Sequence, residues 1–480
     1  MPANILNLPA YTVTALEESD HDYHISAEVR NPPISCPHCR SAGIVGFGRR
    51  EQMVKDLPMH GRRVGLYINT RRYKCMRCSQ SQGKTVTFYE PLPEIDEKRL
   101  MTRRLADWMG RQAIKRTFAS IAEEVGCTEY TVRAVFSDYV NELERTIRFE
   151  VPHWMGIDEI HLIKPRCVIA NIADNTIVEM LHNRNKETVV RYLSHLDGKE
   201  RIQYVAMDMW LPYRDACQAV IPGAKIIVDK FHVVRMANEA MERVRKALRE
   251  RLTLKQKRGL MHDRWVLLKR ERDLDDKERL LLSGWVKNYE ELGHTYRLKE
   301  EFLRIYDHRD RDAAHWAFEQ WAKSVPPHLE EAFKPIKTAV RNWMPEIFAY
   351  FDHPITNAYT ESLNNLIRVM NRLGRGYSFE ALRAKILFAE GAHKRANSRP
   401  KFERKAKSHA EALKNLLEWK GDSEDLPKGG VGLARARNFE TGNPVLPKQP
   451  KAPSTESAEP GKNYGVDIST LARMIENGEL

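Results

Sequence analysis

This 480-residue chain has no stretch approaching the roughly 18 apolar residues of a membrane span. Its start, Met1-Pro2-Ala3-Asn4-Ile5-Leu6-Asn7-Leu8, lacks the basic segment and apolar run of a secretory signal, so a cytoplasmic location with no membrane partner is expected. Cysteine is scarce, seven in all, and a disulfide framework is not expected in so large a chain. Cys127, Cys167 and Cys217 are scattered in apolar contexts and read as small buried hydrophobes. Positive charge is abundant, with a net charge of +13. A polyanion is the natural partner of such a surface, although an ordinary solvated basic face gives the same count. With 42% hydrophobic and 30% charged residues over this length, two to four domains are expected.

The other four cysteines form two CxxC pairs, Cys36-Pro37-His38-Cys39 and Cys75-Met76-Arg77-Cys78. Each turn aims two sulfurs at one ion, and two such turns complete a tetrahedral zinc shell that leaves substrate no open position. One structural Zn²⁺ is expected, contributing on the order of 10–16 kcal/mol to folding. A redox dithiol is the competing reading. Residues 11–16 and 23–29 alternate in the manner of strands, so residues 1–95 read as a β-rich zinc ribbon. Its basic run, with Arg71, Arg72 and Lys74, either contacts phosphates or forms a solvated face.

Residues 96–150 read as a helix-turn-helix. Ala122 is small where helices cross, Gly126 permits the turn, Thr128 is placed to cap the second helix, and Val132 packs back. That second helix would present Glu129, Tyr130 and Arg133 to a DNA groove. Residues 151–234 alternate apolar strands (154–163, 166–173, 176–182, 202–208, 225–229) with helices (186–196, 212–220). The first three strands should form an antiparallel meander and the last two should pair in parallel, the order of an RNase H-like fold. Residues 235–350 are charged, helical and rich in tryptophan, as expected of an all-helical insertion. Residues 351–395 would return to the catalytic core. The basic tail 396–480 reads as largely disordered, with one short amphipathic helix after Val466. The fold class expected is thus multidomain α+β.

Three carboxylates carry the chemistry. Asp158 and Asp208 end apolar strand runs, and Glu361 lies on a helical pattern. Hard cations prefer oxygen ligands. Two Mg²⁺ or Mn²⁺ ions about 3.5–4 Å apart can stabilise both the attacking and the leaving oxygen of a phosphoryl transfer. Asn357, Asn364, Asn365 and Arg368 share the side of Glu361 and read as a DNA-facing stripe, with an ordinary solvated helix face as the alternative. Asp229 and His232 follow another strand. His232 is placed either to bond the scissile phosphate or to orient a ligand, and Asp229 to support the metal ligands from behind.

Cys-Pro-His-Cys, Arg-Arg-Tyr-Lys-Cys-Met-Arg-Cys, Gly-Ile-Asp-Glu-Ile, Val-Asp-Lys-Phe-His-Val-Val-Arg and Thr-Glu-Ser-Leu-Asn-Asn-Leu-Ile-Arg together resemble the ISL-three family of bacterial insertion-sequence transposases. The resemblance spans about residues 30–395, in the family's order of zinc ribbon, helix-turn-helix and DDE domain. It includes the run Asn371–Tyr377, whose Arg372 and Arg375 are expected DNA contacts along with Asn364 and Arg368. It implies that Asp158, Asp208 and Glu361 form the acidic triad. It also implies that Asp229 and His232 match a motif near the active site shared with Mutator-like transposases. The implied partners are transposon inverted repeats and target DNA, acting in a homodimer or larger synaptic assembly, and the implied setting is the bacterial nucleoid. A non-cutting DNA-binding regulator and a stand-alone nuclease are the alternatives.

Overall fold

In a computed structural model, which describes residues 6–147 and 151–391, the alternation of the first segment is realised as β1 (Tyr11–Glu18) and β2 (Asp22–Val29), an antiparallel pair. β3 (Ile44–Met59) and β4 (Arg62–Cys75) form a long hairpin through His60 and Gly61. Both turn residues have positive φ, 52° and 79°, as a two-residue hairpin turn demands. Every second residue of β4 from Val64 to Thr70 points inward, and β2 lies parallel to it. The short helix α1 (Met76–Gln82) follows, then β5 (Thr87–Tyr89), β6 (Ile95–Asp96) and β7 (Met101–Thr102). These strands make one sheet in the order β1-β2-β4-β3-β7-β6, with β5 on β4.

Three helices come next: α2 (Arg103–Lys115), α3 (Phe118–Val125) and α4 (Glu129–Thr146). Thr102, Thr117 and Thr128 cap them, each side chain accepting a hydrogen bond from the backbone three residues on. A cap of this kind stabilises a helix by about 1 kcal/mol. Gly126, at φ 70°, ends α3 in the left-handed conformation that the tight turn requires. Gly110 lets α2 cross α4, because a Cβ there would lie 2.4 Å from the ring of Tyr139.

The second sheet holds β8 (Trp154–His161), β9 (Pro165–Asn171), β10 (Thr176–Leu181), β11 (Tyr204–Met207) and β12 (Lys225–Val228). Its order is β10-β9-β8-β11-β12; the first three strands are antiparallel and β11 runs parallel to both neighbours. α5 (Lys186–Ser194) and α6 (Leu211–Val220) supply the two crossovers. They cover one face, where Val189, Leu193 and Tyr213 meet Met155, Ile157 and Val205.

α7 (Lys230–Glu250) leaves the sheet directly after β12. It packs with α8 (Leu254–His262), α9 (Arg264–Leu268), α10 (Asp276–Asn288), α11 (Glu290–Ile305), α12 (Arg311–Ser324), α13 (Glu330–Asn342) and α14 (Met344–Asp352). Of the tryptophans in this helical part, Trp321 and Trp343 are core, Trp265 and Trp285 are half-buried, and Trp316 is 66% exposed. α15 (Ala358–Leu373) and α16 (Phe379–Glu390) then return to the open face of the second sheet, on Ile160, Val168 and Ile177.

Three of the expected boundaries fall inside elements. The step at 95 divides β6, that at 234 divides α7, and that at 350 divides α14. In each case the element runs continuously across the expected step. No helix among the described residues is long and apolar enough to cross a membrane. The expected tail disorder and its closing helix lie outside the described residues.

Candidate metal centres and nucleic-acid surfaces

The four thiols of the CxxC pairs converge. Cys36 and Cys39 precede β3, whereas Cys75 ends β4 and caps α1, on which Cys78 sits. Cys36 Sγ lies 3.9 Å from Cys78 Sγ, and Cys39 Sγ lies 3.5 Å from Cys75 Sγ. A tetrahedron with Zn–S bonds of about 2.3 Å has sulfurs about 3.8 Å apart, so the cluster has the size zinc needs. Burial opposes ionisation of Cys36, yet the backbone N–H groups of Cys39 and His38 hold it down at about 6. Cys78, crowded by the other sulfurs and buried, is pushed up to about 12. Cys36 forms a thiolate readily and Cys78 resists, a charge imbalance that a dication bound to all four would remove. Among the described residues, this is the only group of three or more His, Cys, Asp or Glu side chains with ligand atoms all within 4.8 Å.

The acidic site is assembled from three separate elements. Asp158 sits on β8, 7% exposed, on the face that α15 covers. Met207 pairs with Ile157, so Asp208 follows β11 at the step beside Asp158. α15 approaches β8 closely because residue 156 is glycine; a Cβ there would lie 2.4 Å from both Asn357 Oδ1 and Thr360 Oγ1. Two asparagines fasten the helix to the strand. Asn357 donates to the Ile157 carbonyl at 3.2 Å, and Asn364 donates to Asp158 Oδ2 at 2.7 Å. Glu361 lies between them on the same side of α15 and is exposed. The three carboxylates are more widely spread than the thiols, but they feel one another. Burial first, then the charge of Asp208 and to a smaller extent Glu361, pushes Asp158 up to about 7.

His232 and Asp229 complete this cluster. Asp229 is buried and caps α7, accepting from the Phe231 N–H at 3.3 Å. His232 Nε2 lies 2.8 Å from Asp208 Oδ2, and its Nδ1 lies 3.8 Å from Asp229 Oδ2. Burial opposes the charged ring, but the bond to Asp208 and the nearby carboxylate of Asp229 prevail and push His232 up to about 10. His232 Nε2 is thus taken by Asp208, while its Nδ1 is buried without a hydrogen-bond partner. Asp208 keeps its other oxygen, Oδ1, buried without a hydrogen-bond partner. An orphaned carboxylate oxygen beside a second carboxylate that resists ionisation suits a hard cation bound through oxygen.

The expected DNA contacts divide. On α4, Tyr130 is 81% exposed; Arg133 is exposed as well, with Glu129 at 3.9 Å and the Phe118 ring at 5.8 Å. Arg372 and Arg375 are exposed beyond Glu361, and half-buried Arg368 donates to Asn365 Oδ1. Arg72 is held by Thr87 between the rings of Phe47 and Tyr89, and Lys74 is half-buried. Arg71 departs from expectation, since its guanidinium is committed to Glu28 at 2.9 Å and to buried Glu90 at 3.3 Å. Asn364 departs too. It is 2% exposed and serves Asp158 rather than facing outward, and Asn357 is likewise buried. The polar stripe read on α15 is therefore half a clamp and half a surface. The flanking apolar positions Leu363 and Ile367, both core, were the signal that Asn364 turns inward.

Sequence reasoning passed over Glu159, Arg184 and Trp210 beside this site. Arg184 pairs with Glu159 and stacks over the Trp210 ring at 4.2 Å, and the Trp210 backbone N–H donates to the Asp208 carbonyl at 2.7 Å.

Three family models match the chain in sequence order. Residues 32–78 match the zinc-finger of transposase IS204/IS1001/IS1096/IS1165, and residues 90–140 match the helix-turn-helix domain of transposase family ISL3. Residues 155–386 match the DDE model of that family, described as transposase. Among curated proteins, the transposase for insertion sequence element IS1001 of Bordetella parapertussis is 25% identical over 332 residues, which is 68% of this chain and 80% of that protein. The transposase for insertion sequence element IS1557 of Mycobacterium tuberculosis is 24% identical over 295 residues, 55% of this chain and 66% of the relative. With ribbon, helix-turn-helix and DDE domain all matched in one order, the chain belongs to the ISL3 family of transposases.

Proposed function

We propose that this chain binds the terminal inverted repeats of an insertion sequence and uses Asp158, Asp208 and Glu361 to cut and rejoin DNA strands. The observation that carries the reading is the clamp of α15 on β8. Asn357 and Asn364 bring the helix of Glu361 onto the strand of Asp158, beside the strand that delivers Asp208. The strand order, an antiparallel meander followed by two parallel strands, supports an RNase H-like core.

Held by these carboxylates, two Mg²⁺ or Mn²⁺ ions would activate the attacking oxygen and stabilise the leaving one. The protein's own part is to hold the ligands still. The Glu159 N–H fixes Asp158 Oδ1 at 2.7 Å while Asn364 fixes Oδ2. Protonated His232 holds Asp208 in orientation through the 2.8 Å contact of Nε2 with Oδ2. Water attacks a phosphodiester at the element end and frees a 3′-hydroxyl, which then attacks target DNA in line. The zinc ribbon is structural, and it and the helix-turn-helix supply the DNA contacts, so binding weakens steeply with salt. Two ends must be joined in concert, which calls for a dimer or larger assembly.

The test is incubation with labelled end DNA and Mg²⁺ or Mn²⁺. Nicking that Asp208→Ala reduces at least a thousandfold, with DNA affinity unchanged, is the expected result. Binding without a nick by the unaltered chain would instead make this a DNA-binding regulator.

A further inference from the structure

We infer that α16, through Lys385, is the positioning element that sets the distance from the DNA-reading helix α4 to the acidic site, and so selects which phosphate is cut. The inference rests on the proposed function, because it assigns a cutting register to the same site.

α16 is shared between two cores. Leu382, Ile386 and Leu387 pack with Ile160, Val168 and Ile177 of the second sheet and with Leu363 and Ile367 of α15, the helix of Glu361. Ala384, Phe388 and Ala389 complete the core of α2, α3 and α4. Charged groups pin both faces. Arg383 makes a two-pronged bond to Glu179 of β10, at 2.7 and 2.6 Å, and reaches Glu144 of α4 at 3.0 Å. Lys385 is 1% exposed. Its ammonium donates to the carbonyls of Ala113 and, at 2.8 Å, Arg116. Both belong to the C-terminal end of α2, where carbonyls lack helical partners and the helix dipole is negative. The rings of Phe118, Phe136 and Tyr377 surround it at 4.5, 5.3 and 4.8 Å. Burial pushes the ammonium down to about 8, so it is still charged at neutral pH.

A purely apolar joint between α16 and the helix-turn-helix would tolerate sliding, since dispersion contacts are non-directional. A buried charge with two fixed carbonyl acceptors admits one arrangement, because any other leaves it unpaired. Tyr377 enters the joint from the turn that ends α15. There Arg375 and Gly376 take positive φ, 50° and 96°, and the Tyr377 ring covers Gly374 so closely that a Cβ would lie 2.0 Å away. The run after the glutamate helix is therefore the corner that delivers α16 to α2. None of these groups needs to touch DNA to set where the DNA lies.

The experiment compares full-length Lys385→Met with the unaltered chain. Methionine keeps an unbranched apolar stem one atom shorter but cannot satisfy the carbonyls. On labelled end DNA with Mn²⁺, affinity should change less than threefold, while the share of cuts at the principal phosphate falls at least fivefold and flanking phosphates are cut instead. A merely destabilised enzyme would cut less but at the same place, and an unchanged single cut site overturns the inference. Without DNA, amide hydrogen exchange over residues 103–146 should rise at least tenfold while that of 204–228 is unchanged; equal protection overturns it. Should Lys385→Met not fold, Glu144→Gln, which weakens the Arg383 bond at the surface, should give a smaller scatter of cuts, and a sharp wild-type cut in that variant counts against the joint. If the unaltered chain never nicks, the proposed function fails and the exchange comparison alone decides the joint.

Discussion

The two candidate metal centres are built in opposite ways. The four thiols come from two short turns, and each pair is set by local backbone geometry. The carboxylates come from β8, the end of β11 and α15, elements that meet only after a sheet, two crossovers and a long helical insertion have formed. A cluster made by local turns is tight, with all four sulfurs within 4.8 Å of one another. One made by packing separate elements is looser and depends on intermediaries, here Asn364 for Asp158 and His232 for Asp208. The first kind should fail by unfolding, the second by losing orientation.

The most severe break in this comparison is Cys36→Ser. Removing one thiolate from a shell that contributes on the order of 10 kcal/mol should unfold the ribbon and release its zinc. Zinc release measured with a colorimetric chelator should be complete, while calorimetry still shows the transition of the second sheet. A ribbon that keeps its fold and metal would show that the thiols are not a unit.

Asn364→Ala probes the other kind of failure. It leaves Asp158 Oδ2 without its donor and opens the clamp, so nicking should fall about 10- to 100-fold, as for other partners of metal ligands. Thermal stability should fall by only about 1–3 kcal/mol, the usual cost of stranding a buried polar group. Loss of stability without loss of rate would reduce Asn364 to a packing residue.

What could be read in advance follows the same division. The CxxC pairs, the Thr128 cap, the left-handed Gly126 and the strand runs are local signals, and each stands where the sequence placed it. The ion pairs of Arg71 have no local signal because its partners, Glu28 and Glu90, lie far off in sequence. Asn364 was assigned to DNA because its spacing from Glu361 shows a shared side but not what lies opposite. Lys385 carries no local signal at all, since a lysine between alanine and isoleucine looks like any amphipathic position until α2 is packed against it.

The central claim is that three distant carboxylates hold divalent cations together. Its most direct test is a Mn²⁺ titration, followed by electron paramagnetic resonance, of the full chain on end DNA. Two ions per chain are predicted, lost together in Asp208→Ala. In the free protein Asp158 holds a proton up to about pH 7, so a cation must displace it below that value. Affinity should therefore fall about tenfold per pH unit below 7 and level off above it. Mn²⁺ binding that is absent, or that Asp208→Ala leaves intact, would contradict the account.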